Sequence, residues 1–165
     1  MNKEPKTMSE NEESMESRLE QILNDALIKA TDTYSVPPQI IWVDNSTIAT
    51  LGNFSASTGK AKAKKTFNVS ALVAASLSNG TVLNYRACLP EGKRRILYVD
   101  TEQSRYHCHN VLARILKLAG LPTDMDNQNL DFIGLREYTP AIRMEVIDYA
   151  LAHNHGYGLV IIDGI

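Results

Sequence analysis

The sequence predicts an α/β domain in which helices pack on both faces of a mostly parallel sheet, and three observations predict it. From residue 53 onward, strand-like and helix-like stretches alternate, an order that lays helices over parallel strands. Arg95-Ile96-Leu97-Tyr98-Val99-Asp100 is a near-continuous apolar run with a polar end, as a strand buried on both faces requires. A short run rich in lysine, residues 59–66, separates the first expected strand of the alternation from its first helix, and the other elements are arranged around it.

Composition bounds the rest. A chain of 165 residues, 44% apolar and 22% charged, suits one globular domain with a real core. A net charge of −2 gives no global pull toward polyanions, so any such binding has to come from a local patch. No apolar run reaches membrane-spanning length and the N-terminus is polar and acidic, so neither a signal peptide nor a membrane partner is expected. Cys88 and Cys108 read as free thiols of a reducing cytoplasm.

Residues 1–16, with Glu4, Glu10, Glu12, Glu13 and Glu16 among serines and asparagines, are expected to be a disordered acidic tail. Residues 17–38 form a helix and linker: Leu19, Ile22, Leu23, Ala26, Leu27 and Ala30 share one face, expected to pack on the domain edge, and Pro37-Pro38 breaks the chain. Residues 39–43 and 47–51 read as a hairpin, with Trp42 as a packing residue rather than a base-stacking one. Residues 53–58 are β-compatible between Gly52 and Gly59. Phe67, Val69, Leu72, Val73 and Leu77 then fall near helical spacing through an alanine-rich run that Gly80 closes.

Residues 81–89 are short and extended, and Pro90-Glu91-Gly92-Lys93 is a turn before the strand at 95–100. The helix over 104–119 carries Val111, Leu112, Ile115, Leu116 and Ala119 inward and stops at Gly120 with Pro122 beyond. Residues 130–135 make a strand. Thr139-Pro140 opens a helix as cap and first residue, with Ile142, Val146, Ile147, Ala150 and Leu151 as its core stripe. Residues 159–163 make the last strand.

The usual phosphate-binding loop is Gly, four residues, then Gly-Lys-Ser/Thr. Laid from Gly59, it puts Lys64 where the second glycine belongs and Lys65-Thr66 on the Lys-Thr pair; taking Gly59-Lys60 as the Gly-Lys pair fails twice, at Phe54 and Ala61. In such a loop, free backbone N–H groups at a helix start converge on phosphate oxygens with the helix dipole behind them. Lys60, Lys62, Lys64 and Lys65 also fit a solvated basic turn or a nucleic-acid patch. Asp100-Thr101-Glu102 and Asp163 close two strands, where a carboxylate can reach a magnesium ion on the phosphates or cap the next helix.

Together, residues 59–66, 96–103 and 159–163 resemble the nucleotide site of RecA-like P-loop ATPases, the AAA-type ATPases of the DnaB and RepA helicase kind carried by plasmids and mobile elements; the match covers about residues 40–165. The resemblance implies a three-layer αβα P-loop NTPase fold over residues 39–165, truncated after the Walker B strand, with ATP and Mg2+ as cofactors. Gly59, Lys60, Ala61, Lys62, Ala63, Lys64, Lys65, Thr66 and Phe67 would cradle the nucleotide, Lys65 serving as the phosphate lysine. Thr66 and Asp163 would hold Mg2+, and Glu102 would activate the attacking water. Lys64 is the departure from the family pattern.

The function implied is an ATP-hydrolysing domain of a DNA replication or mobilisation motor. Its partners would be single-stranded DNA and further copies of the chain in a ring. A nucleotide-binding regulator without turnover, or a nucleic-acid binder using the lysine run, stay open as alternatives. In that family a central strand, the DNA loops and a trans-acting arginine come later in sequence, so unpaired sheet edges and poor stability are expected. His107-Cys108-His109 does not form a metal cluster, because neighbours on a helix face apart. His153 and His155 read as solvated, and Arg136-Glu137 as a local ion pair or a contact to DNA or a neighbouring subunit.

Overall fold

A computed structural model describes residues 8–59 and 64–164, and the chain divides into two units, Met1–Val36 and Pro37–Ile165. The first unit holds helix α1, Met8–Ala26. It begins inside the stretch expected to be disordered, because glutamate and methionine are good helix formers. It also ends before the expected residue 31: Asp32 accepts the backbone N–H of Lys29 at 2.8 Å and the Tyr34 hydroxyl at 2.9 Å, a local alternative to helical bonding. Leu19, Ile22, Leu23 and Leu27 are exposed.

The second unit opens with the expected hairpin, β1 (Gln39–Val43) and β2 (Ser46–Thr50), followed by α2 (Lys65–Ser78), β3 (Thr81–Val82) and β4 (Tyr85–Ala87). Then come β5 (Arg95–Asp100), α3 (Arg105–Leu118), β6 (Leu130–Gly134), α4 (Pro140–His153) and β7 (Tyr157–Asp163). These strands make two sheets: a four-stranded antiparallel one in the order β2-β1-β4-β3, and a three-stranded parallel one in the order β6-β5-β7.

This overturns the expected fold class. The three-layer RecA-like core with one mostly parallel sheet does not form, and residues 53–58 are not a strand. A central parallel strand has to be apolar on both faces, whereas this stretch offers one large apolar side chain, Phe54, which is 95% exposed. Its polar groups turn back on the hairpin instead: Asn53 Nδ2 donates to Thr50 Oγ1 at 2.6 Å and Ser55 Oγ to the Ile48 carbonyl at 2.7 Å. Residues 81–89, expected to be extended, supply a second hairpin, and β4 pairs antiparallel with β1. Trp42 of β1 packs as expected, half-buried, with the Arg86 guanidinium 3.8 Å from its ring centre.

Helix α2 joins the two sheets, packing on β3 and β4 of one and on α3 and β5 on the side of the other. It buries small residues: Ala71, Val73, Ala74 and Ala75 are fully covered, while the predicted core residue Phe67 is exposed. Ser70 and Ser76, also buried, donate back to the carbonyls of Thr66 and Leu72 at 2.7 and 3.0 Å. Asn79 caps the helix in the left-handed conformation (φ 51°), and the Gly80 N–H reaches the Ala75 carbonyl.

In the parallel sheet, Ile96 and Tyr98 face the core shared with α2 and α3, where Val111 and Ile115 are buried, and Leu97 and Val99 face Ile147 of α4. The expected α4 stripe is only partly used: Ile147 is buried, but Ile142 and Leu151 are exposed, as are Val160 and Ile162 of β7. Apolar residues all round α4 leave its inward face undefined by spacing alone.

At the amino ends of these strands Arg95 ties all three together. Its guanidinium lies 2.6 Å from Asp131 of β6, donates to Asn154 at 2.8 Å, and stands 5.2 Å from the Tyr157 ring centre. The Tyr157 hydroxyl donates to the same Asp131 carboxylate. Burial first, and that bond second, push the Tyr157 hydroxyl up from 10.0 to about 12. The folded chain therefore favours the protonated phenol, so its contribution is intact below pH 10.0 and is lost as the pH rises toward 12. Between about pH 9 and 12 the melting temperature should fall more steeply in the wild type than in Tyr157→Phe; equal slopes would remove the phenol from the alkaline loss.

Candidate functional site

Strands β5 and β7 lie in register from Ile96↔Leu159 to Asp100↔Asp163, so two carboxylates end side by side at the carboxyl edge of the sheet. Both are buried, yet they serve different purposes. Asp100 Oδ1 accepts the backbone N–H groups of Glu102 and Gln103 at 2.9 and 2.7 Å, and Oδ2 accepts Gln103 Nε2 at 2.7 Å. Its carboxylate is thereby committed to shaping the turn after β5, while Ser104 is the residue at the cap position of α3. Among the described residues the Asp163 carboxylate accepts one hydrogen bond, from the Tyr98 hydroxyl to Oδ2 at 3.0 Å. Its Oδ1 faces Lys65 Nζ at 3.6 Å.

Lys65 is the first residue of α2, with its side chain 41% exposed. Lys64 before it takes the left-handed conformation, φ 56° and ψ 27°. This is the position where the usual loop has its second glycine, and the backbone explains that preference: a side chain there is strained and glycine is not. Thr66 follows, partly buried, and Phe67 and Gly59 are exposed. Lys60, Ala61, Lys62 and Ala63 lie outside the described residues.

Glu102 stands exposed in the turn that Asp100 shapes. Directly after Asp163 the chain passes against it: Gly164 has φ +96°, and a β-carbon there would lie 2.5 Å from Glu102 Cγ and 2.6 Å from Thr101 Oγ1. Only glycine fits that approach. A backbone bond from the Thr101 N–H to the Asp163 carbonyl at 3.1 Å closes the corner. Lys65 and Asp163 thus face each other at one end of the parallel sheet, and Glu102 lies against Gly164, the residue that follows Asp163.

Sequence reasoning missed Tyr98 and Gly164. Tyr98 was findable: it is the one hydroxyl in an aliphatic run, a buried tyrosine needs a polar partner, and in-register pairing puts Asp163 diagonally across from it. Oxygen donors at Asp163 and Thr66 suit Mg2+, which binds through one or two protein oxygens together with phosphates and water. Among the described residues no group of three His, Cys, Asp or Glu could hold a metal ion.

Elsewhere, His107 and His109 are exposed while Cys108 is buried, its thiol pushed up by that burial first. Arg136 and Glu137 form no ion pair among the described residues and instead line a cleft of about 300 Å³ with Gln103, Ser104, Arg105, Gly134 and Tyr138. Among the described residues no helix is long and apolar enough to cross a membrane. No protein-family model, curated protein or solved structure matches the chain.

Replacing Lys64 with glycine relieves a left-handed penalty of about 1–2 kcal/mol at a backbone-entropy cost of about 0.5–1 kcal/mol. Lys64→Gly should therefore melt at the same temperature as the wild type or slightly above it, and Lys64→Val clearly below. A glycine variant that melts well below the wild type would contradict the left-handed turn.

Proposed function

We propose that the chain binds ATP with Mg2+ at the corner formed by the start of α2 and the ends of β5 and β7, and hydrolyses it. The observation that carries this reading is Lys65 Nζ at 3.6 Å from Asp163 Oδ1, at the head of a 14-residue helix, with Glu102 exposed beside them. The reading needs this corner and not a strand at residues 53–58.

The residue types suit phosphoryl transfer to water. Lys65 exchanges Asp163 for the oxygens of the β- and γ-phosphates, where unbonded N–H groups of the first helical turn add to the field. Thr66 and Asp163 would hold Mg2+, which when bound would neutralise charge on those phosphates. Glu102 orients a water and takes its proton as the water oxygen bonds to the γ-phosphorus. The bond from that phosphorus to the β–γ bridging oxygen breaks, and ADP and inorganic phosphate leave.

Two variants test the assignment. Glu102→Gln keeps the size and polarity of the side chain but removes the proton acceptor, so ATP binding by calorimetry should persist while phosphate release falls at least about a hundredfold. Normal hydrolysis by this variant would remove Glu102 from the mechanism. Lys65→Ala should weaken ATP binding by about tenfold to a hundredfold, the size of one or two hydrogen bonds to a charged group. Unchanged affinity would mean that the lysine does not touch the phosphates.

A further inference from the structure

A carboxylate at the end of a strand turns easily about its last bond. Asp163 is held against that rotation. Tyr98 is fully buried on β5, and its ring stacks on Phe132 of β6 with centroids 4.4 Å apart and planes 8° from parallel. The phenol is therefore fixed by three strands at once, and its hydroxyl meets Asp163 Oδ2 at 3.0 Å. The remaining oxygen, Oδ1, is left on the side of Lys65.

We infer that Tyr98 is a positioning residue for the proposed metal–nucleotide site: its hydroxyl holds Oδ2 of Asp163 so that Oδ1 alone is presented to the cation that accompanies the phosphates. The inference rests on the ATP reading above. The Tyr98 hydroxyl is buried with the Asp163 carboxylate as its acceptor, and a buried hydroxyl without a partner would be costly, so the bond is kept wherever the fold persists. Because the stacked ring sets the direction of the hydroxyl, the chain has no need of a second carboxylate to orient the first, and Asp100 is free for the turn that carries Glu102.

Tyr98→Phe is the test, since it keeps the ring, the stack and the buried volume and removes only the hydroxyl. ATP binding is titrated twice with the full chain, once in EDTA and once across a series of Mg2+ concentrations. In Tyr98→Phe the apparent Mg2+ affinity of the ATP complex should weaken about tenfold, the size of one hydrogen bond to a charged group, with affinity in EDTA unchanged. A merely structural role would lower both together, and that result overturns the inference. Phe132→Leu keeps the hydroxyl and loosens its support, so it should give a smaller loss in the same direction. Unchanged Mg2+ dependence in both variants, beside a wild type that binds ATP with Mg2+, overturns the role of Tyr98 and leaves the ATP reading standing. A wild type that binds no ATP overturns that reading, and the inference with it.

Discussion

The structure of the second unit depends on how α2 is buried. A helix covered on one side needs one apolar stripe, but α2 contacts an antiparallel sheet on one side and a helix and strand of the parallel part on the other. Space for that exists only if its side chains are small, and Ala71, Ala74 and Ala75 meet the requirement with no exposed surface. The two buried serines comply by bonding to their own helix, so neither leaves an unsatisfied hydroxyl in the core. A helix gripped this way cannot slide or rotate without opening both contacts, so its first residue, Lys65, stays where β7 ends.

The parallel sheet supplies the other half of the constraint. Strand register decides which side chains become neighbours, and a slip of one residue would turn Tyr98 and Asp163 to opposite faces. The tie at the amino ends, where Arg95 joins Asp131 and Asn154 and lies against Tyr157, guards that register from the opposite end of the same strands. Stability and the site are therefore linked through β5, β6 and β7 rather than through direct contact.

Much of this was legible in the sequence where local signals agree. Apolar runs marked β5 and β7, and Thr139-Pro140 and Gly120 marked helix ends, because these features act within a few residues of themselves. Of the antiparallel sheet only the β1–β2 hairpin was legible, since the pairing of β4 with β1 joins residues more than forty positions apart, Ile41 with Ala87. Residues 53–58 misled for a related reason: β-compatible side chains do not make a strand when no partner edge has apolar surface to share with them. In α2 the search for large apolar residues picked Phe67 and passed over the alanines that are buried. Within the site, Lys65 and Asp163 were named from the motif and are in contact, whereas Tyr98 and Gly164 depend on register and close approach and carry no motif of their own.

The two partners of Asp163 differ in how firmly they hold it. Lys65 reaches Oδ1 from a side chain 41% exposed at 3.6 Å, too far for a hydrogen bond, so this contact is loose. Tyr98 reaches Oδ2 inside the protein, where losing a partner leaves a desolvated charge. The weak contact is the one a charged ligand would replace, and the strong one is the one it would leave in place. A carboxylate with one exchangeable and one fixed partner can change what it binds without changing where it points. The left-handed Lys64 precedes Lys65 and the close-packed Gly164 follows Asp163, so the backbone holds the geometry while the exposed Lys65 side chain is the part that can exchange partners.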